Sequence, residues 1–136
     1  MIRINHRVAL LLLAGALTAS ASTAHAIDEQ RYGETAYITG GVGEDEQLAL
    51  KDRASQYTLR VMIARKGSGE FLSDCRLTVT RGTTTALEAT MDGPFLLARL
   101  APGTYRLRAE FEGKIQERQV TIGTRGGMTD VNLHWD

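Results

Sequence analysis

The sequence predicts a small, mainly β protein, a seven-stranded β-sandwich preceded by a short helix. Three observations carry that expectation. From Tyr57 onward, apolar residues recur at every second position, the period of strands with one buried face. Turn residues interrupt these runs every eight to twelve residues or so, the spacing of sandwich strands. A run of helix formers occurs only once past residue 26, at 44–56, and the chain shows no internal repeat, low-complexity tract or linker.

The 136-residue chain opens on a segment that reads as a secretory signal peptide, residues 1–26. Arg3 and Arg7 give a positive start, Val8 to Ala19 is almost wholly apolar, and Ala24-His25-Ala26 offers small residues on either side of a third. The apolar run falls short of the roughly 20 residues that span a bilayer as a helix. The competing reading is an uncleaved anchor. No cysteine lies near the cleavage point and no twin-arginine pair precedes it. Cleavage after Ala26 gives a mature chain, residues 27–136, expected in the periplasm or beyond it.

Without Arg3 and Arg7, the balance of 16 basic and 16 acidic residues tips to an excess of two acids. Such a chain lacks the basic surplus that a nucleic-acid backbone demands.

Residues 27–56 read as an N-terminal arm and a short helix. The arm is polar and carries Gly33, Gly40, Gly41 and Gly43, with a short strand expected at 36–39. In EDEQLALKDRASQ, residues 44–56, Glu44, Asp45 and Glu46 crowd the first turn, where carboxylates suit the helix dipole. Leu50, Ala54 and Tyr57 share one side.

The sandwich is expected over residues 57–136. Tyr57, Leu59, Val61 and Ile63 alternate with Thr58, Arg60, Met62 and Ala64. Strands follow over 71–80, 84–90, 95–100, 104–111, 114–122 and 131–135. Asp92-Gly93 and Glu112-Gly113 are turn signals. In the strand over 114–122, Ile115 has one parity and Val120 and Ile122 the other, so a bulge is expected between them. Tyr105, Leu107, Ala109 and Phe111 face inward, as do Val131, Leu133 and Trp135.

The stretch MDGPFLLARLAPGTYRLRAEF, residues 91–111, carries a resemblance. Asp92-Gly93-x-Phe95 and then Leu100-x-Pro102-Gly103-x-Tyr105-x-Leu107 resemble the carboxypeptidase regulatory-like domains, which have a transthyretin-like, or prealbumin-like, sandwich. The motif covers about 16 residues, and the rest of 57–136 matches in strand spacing alone. In physical terms, Phe95 enters the core and Leu100 plugs one end. Pro102-Gly103 reverses the chain, with glycine at positive φ. The resemblance implies a fold and an exported location. It brings no catalytic residue, because this domain is a non-catalytic appendage in the carboxypeptidases. The hydroxyisourate hydrolases share the fold, but their site resembles a histidine cluster closed by tyrosine-arginine-glycine-serine. This chain ends Leu133-His134-Trp135-Asp136, and His134 is its one histidine past residue 26.

Other chemistries are weighed against plain structural roles. Cys75 and His134 are the one Cys/His pair of the mature chain, and alternation sends them to opposite faces, inward for the thiol and outward for the ring. A lone thiol in an exported chain is either buried or open to an intermolecular disulfide. Glu44, Asp45 and Glu46 are consecutive and point apart, unlike a calcium loop. Gly40-Gly41-Val42-Gly43 before a helix lacks a following Gly-Lys-Ser/Thr, and the acids at the helix start repel phosphate. A lysine–asparagine isopeptide bond is excluded, since the first strand offers Arg60, Lys66 lies past it, and Asn132 points outward. Arg99, Arg106, Arg108 and Arg118 form either a cationic patch or, with Glu110 and Glu117, cross-strand ion pairs.

The expectation is a non-enzymatic binding or accessory module, with no catalytic, cofactor or metal residue. It presents a sandwich edge or loop face to an envelope protein by strand addition, with residues 27–56 as adaptor. The alternative is a module for carbohydrate or another envelope ligand.

Overall fold

The computed structural model of the chain describes residue 15 and residues 27–136. Apart from that one position, the expected signal peptide falls outside the described residues. The fold is mainly β, with two sheets and one short helix. Strands run over Gln30–Tyr32 (β1), Thr35–Gly40 (β2), Leu59–Arg65 (β3), Arg76–Arg81 (β4), Thr84–Thr90 (β5), Phe95–Ala98 (β6), Gly103–Phe111 (β7), Lys114–Ile122 (β8) and Thr129–Trp135 (β9). The helix α1 spans Glu44–Arg53 and tightens into a 3₁₀ turn over Ala54–Gln56. The first sheet has the order β1-β2-β6-β3-β9 and the second β5-β4-β7-β8.

The strand count is nine, where the sequence predicts seven, because residues 27–43 supply β1 and β2. β2 pairs antiparallel with β6, from Tyr37 opposite Ala98 to Gly40 opposite Phe95. It is covered on both faces. Tyr37 joins the core between the sheets, while Ile38 packs under Leu50 and Tyr57 on the outer face. A strand buried on both faces shows no alternation; the short strand expected at 36–39 is β2, while its place in the sandwich and the pairing with β1 go beyond that expectation. The glycine-bearing arm is thus ordered as part of the first sheet.

The core lies between the sheets. Leu59, Val61, Ile63, Leu96 and Leu133 from one meet Leu77, Val79, Leu87 and Leu107 from the other, all fully buried. Each such side chain contributes about 1.5–3 kcal/mol through removal from water. Tyr105 and Trp135 are buried as alternation predicts. The Tyr105 hydroxyl donates to the Ala101 carbonyl at 2.6 Å, fastening the Pro102-Gly103 reversal to the strand that follows, as tyrosine corners do in sandwiches. Gly103 has φ +153°, the positive value expected there.

Four local expectations are corrected. Phe95, expected in the core, is half-buried on the outer face of the first sheet, against the cluster under α1. Asp92-Gly93 is not a hairpin turn, since β5 and β6 belong to different sheets. The segment crosses between the layers, held by Thr39, whose hydroxyl donates to the Phe95 carbonyl at 2.9 Å and accepts the Asp92 N–H at 3.0 Å. The bulge expected between Ile115 and Val120 is absent. The β7–β8 register is unbroken from Gly103–Ile122 to Phe111–Lys114, so Ile115 simply faces out and is half exposed. A register shift occurs instead between Val79 and Thr80 against β5. The strand expected over 71–80 begins at Arg76, because Asp74 takes φ 63° and turns the chain from one sheet into the other. Phe71 keeps a single bridge to Ala64. The β7–β8 hairpin closes on Glu112 and Gly113, with φ 48° and 77°, the two positive values of a type I′ turn.

The helix carries the chain back across the outer face of the first sheet. It begins beside Gly40 and Phe95 and ends where the Thr58 N–H meets the Ala98 carbonyl at 2.9 Å. Its start has Gly43 as cap and no side-chain cap, with Glu44, Asp45 and Glu46 in the first turn. Beneath it, Ile38, Leu50, Tyr57 and Leu97 form a second cluster, with Ile27, Ala54, Phe95 and Met128 packed around it. Tyr57 also anchors the start of the described chain. Its hydroxyl donates to Glu29 at 2.6 Å, Arg53 donates to both Tyr57 and the Ile27 carbonyl, and Arg99 lies over its ring at 5.5 Å. That hydrogen bond from Tyr57 holds the Glu29 carboxyl below its ordinary pKa. Burial, with the same bond, pushes the phenol up.

Candidate functional site

The structure separates the groups that the sequence offers for catalysis. Cys75 is fully buried at the entry to β4, and burial pushes its thiol up to about 11. His134 stands exposed on the outer face of β9. Among the described residues no group of three His, Cys, Asp or Glu side chains is placed to hold a metal ion. Glu44, Asp45 and Glu46 serve the helix start. Within Gly40-Gly41-Val42-Gly43, Gly41 makes a tight approach, since a Cβ there would lie 2.6 Å from Phe95 Cδ2.

The four arginines do not form one patch. Arg99 leaves the end of β6, donates to the Gln56 carbonyl at 2.7 Å and stacks on Tyr57. Arg118 has the parity of Leu107, not of Arg106, and donates to Gln116 at 3.1 Å. Arg106 and Arg108 share the outer face of the second sheet with Arg76, against Glu88, Glu110 and Glu117. Arg106 pairs with Glu117 at 3.4 Å. Three bases against three acids make this face a charge-balanced, solvated surface, and such pairs add about 0–1 kcal/mol each.

The sheet edges differ from one another. β1 is three residues long. β8 and β9 are stitched together across one side of the core: Gln116 Nε2 donates to the His134 carbonyl at 2.6 Å, Trp135 Nε1 to the Lys114 carbonyl at 3.2 Å, and Thr129 Oγ1 to the Thr121 carbonyl at 3.1 Å. β1 lies beside β5 at the other side of the core, but no hydrogen bond joins them, and β5 has no second ladder partner among the described residues. The Met91 N–H donates to the Cys75 carbonyl at 2.8 Å. Counting back by twos, Ala89 and Leu87 also bond toward β4, and the amides of Thr90 and Glu88 point outward. The strand reads TTALEAT. It has one charge and lacks the lysine or proline that commonly guards an edge.

A second surface lies between α1 and the first sheet. Glu44, Gln47, Leu48, Leu50, Lys51 and Ala54 of the helix side face Arg60, Phe95 and Leu97 of the sheet across a groove of about 320 Å³. Leu48 is 52% exposed. Just beyond the groove, Phe71 packs edge-on to Phe95 at 5.4 Å and is itself 48% exposed. Arg60 Nε binds Asp130 at 2.5 Å. Glu44 and Lys51 have no ion-pair partner among the described residues. Sequence reasoning missed this groove. Its one signal is the helical spacing of Glu44, Gln47, Leu48 and Lys51, which lines them on the side that Leu50 and Ala54 do not bury.

No protein-family model matches the chain, and no curated protein matches it.

Proposed function

We propose that this protein is a non-enzymatic accessory module of the bacterial envelope that binds a protein partner through the outer edge of β5, which has no hydrogen-bonded neighbour among the described residues. The single observation that carries the reading is the contrast among the edges. β1 is too short, and β8 and β9 are tied to each other by three side-chain hydrogen bonds. β5 offers a seven-residue strand with little charge, on which the amides of Glu88 and Thr90 point outward. An extended segment of the partner would add to it as a further strand, with main-chain hydrogen bonds giving affinity.

Export through the segment 1–26 and a carboxypeptidase regulatory-like, transthyretin-like ancestry belong to this proposal. The signal-like start supports the first. The Tyr105–Ala101 corner after Pro102-Gly103 supports the second. The ordered position of β1 and β2 moves the proposed contact from residues 27–56 to β5. The buried thiol and the separation of Cys75 from His134 support a role without catalysis.

The test is Glu88→Pro. Proline at that position removes an outward N–H and leaves the ladder to β4 intact. The tagged protein, crosslinked in its host, is expected to bring down a stoichiometric envelope protein that Glu88→Pro no longer recovers while its circular dichroism is unchanged. Equal recovery by the variant would contradict the reading.

A further inference from the structure

We propose that the groove between α1 and the first sheet binds a short, free, apolar peptide by both of its charged ends, with its ammonium on Glu44 and its carboxylate on Lys51 and Arg60. The site is separate from the β5 edge and stands whether or not that edge is used.

Three observations lead there. The first is polarity along the groove. α1 runs from the Gly40–Phe95 end of the sheet to the Leu59–Ala98 end. Glu44, Leu48 and Phe95 therefore lie at one end, and Lys51, Ala54, Leu97 and Arg60 at the other. The second is that neither Glu44 nor Lys51 is spent in an ion pair. Glu44 and Lys51 line the groove and pair with no other side chain among the described residues. Arg60 engages Asp130 through Nε, and the rest of its guanidinium fork remains to meet a second carboxylate.

The third is distance. Seven residues of helix advance about 10 Å at 1.5 Å per residue. An extended tripeptide spans about 10 Å at roughly 3.3 Å per residue. A ligand of that length places opposite charges against Glu44 and Lys51 at once. Between them, Leu48, Phe95 and Leu97 give an apolar floor and wall. A groove of about 320 Å³ lies within the size range of small-molecule sites.

The charge order also excludes neighbours in chemistry. An anionic amphiphile satisfies Lys51 and Arg60 and leaves Glu44 against its tail. A nucleotide or polyanion meets the acidic helix start. A peptide with blocked ends loses both pairings and keeps only apolar contact.

The experiment uses trileucine as probe, with acetyl-trileucine, trileucine amide and decanoate as comparisons, followed by amide chemical shifts of the purified protein. Trileucine is expected to shift Leu48, Lys51 and Leu97. Blocking either end is expected to weaken binding by about twofold to fivefold, the range of an exposed ion pair. In Glu44→Gln the acetyl group should cost nothing further, and in Lys51→Gln the amide should cost nothing further. Both positions are exposed, so the variants fold. The proposal is overturned by the absence of shifts at millimolar trileucine, by equal binding of all four probes, by tighter binding of decanoate, or by blocking effects that persist unchanged in the two variants.

Discussion

Gly93 lies against the Gly40 carbonyl so closely that a Cβ on Gly93 would stand 2.5 Å from the Gly40 oxygen. The obstacle is backbone, which cannot swing aside as a side chain can. This contact is where the crossover from the second sheet passes the end of β2, just before β6 begins. Gly93→Ala should therefore destabilise the protein by about 1–3 kcal/mol, the cost of overpacking. Gly123→Ala, with open space around its Cβ and no positive φ, should change stability by less than about 0.5 kcal/mol. Urea unfolding of the two variants side by side checks the difference.

Thr39 fastens the same crossover with a donated and an accepted hydrogen bond. Thr39→Val keeps the shape and leaves the Asp92 N–H and the Phe95 carbonyl without their partner. A loss of about 2–3 kcal/mol is expected from the unsatisfied groups. Thr39→Ser, which retains the hydroxyl, should recover most of it in the same unfolding measurement.

Tyr105→Phe removes only the hydroxyl that reaches the Ala101 carbonyl. Ala101 is exposed, so water can replace the bond, and the expected loss is about 0.5–1.5 kcal/mol. Thermal unfolding of the variant against the parent reads it.

The buried Cys75 thiol ties stability to alkaline pH. Its folded pKa is raised by burial to about 11 from an ordinary 9.0. The neutral thiol therefore favours the fold fully below pH 9, and that contribution fades as pH rises from 9 toward 11. Cys75→Ala should lose this part of the pH dependence, although it also opens a cavity. A thiol reagent at pH 8 should label the parent only in denaturant, whereas rapid labelling of the native protein would place Cys75 at the surface.

Much of the two-sheet core is legible in the sequence. β3, β7 and β9 alternate cleanly because one face of each is buried and the other solvated. The reversal before Tyr105 is also legible, because proline, glycine and tyrosine each have one physical use there. β2 is legible as a short strand at 36–39 but not as a member of the sandwich, since α1 covers its outer face and erases the alternation. Asp92-Gly93 misleads, because glycine is needed there for close backbone approach and not for a hairpin. The candidate surfaces were hardly legible. Whether β5 is an edge depends on sheet order, and the groove depends on which way α1 crosses the sheet. Neither is written in local periodicity.

The central claim, that β5 is the edge offered to a partner, is tested most directly by site-specific photo-crosslinking in the native host. A photoreactive residue at Thr90 on β5 is compared with one at Gln119 on β8. A discrete adduct with one envelope protein from the Thr90 position, and none from the Gln119 position, is the predicted result. An adduct from Gln119 with Thr90 silent would contradict it and place the contact on the opposite edge of the second sheet.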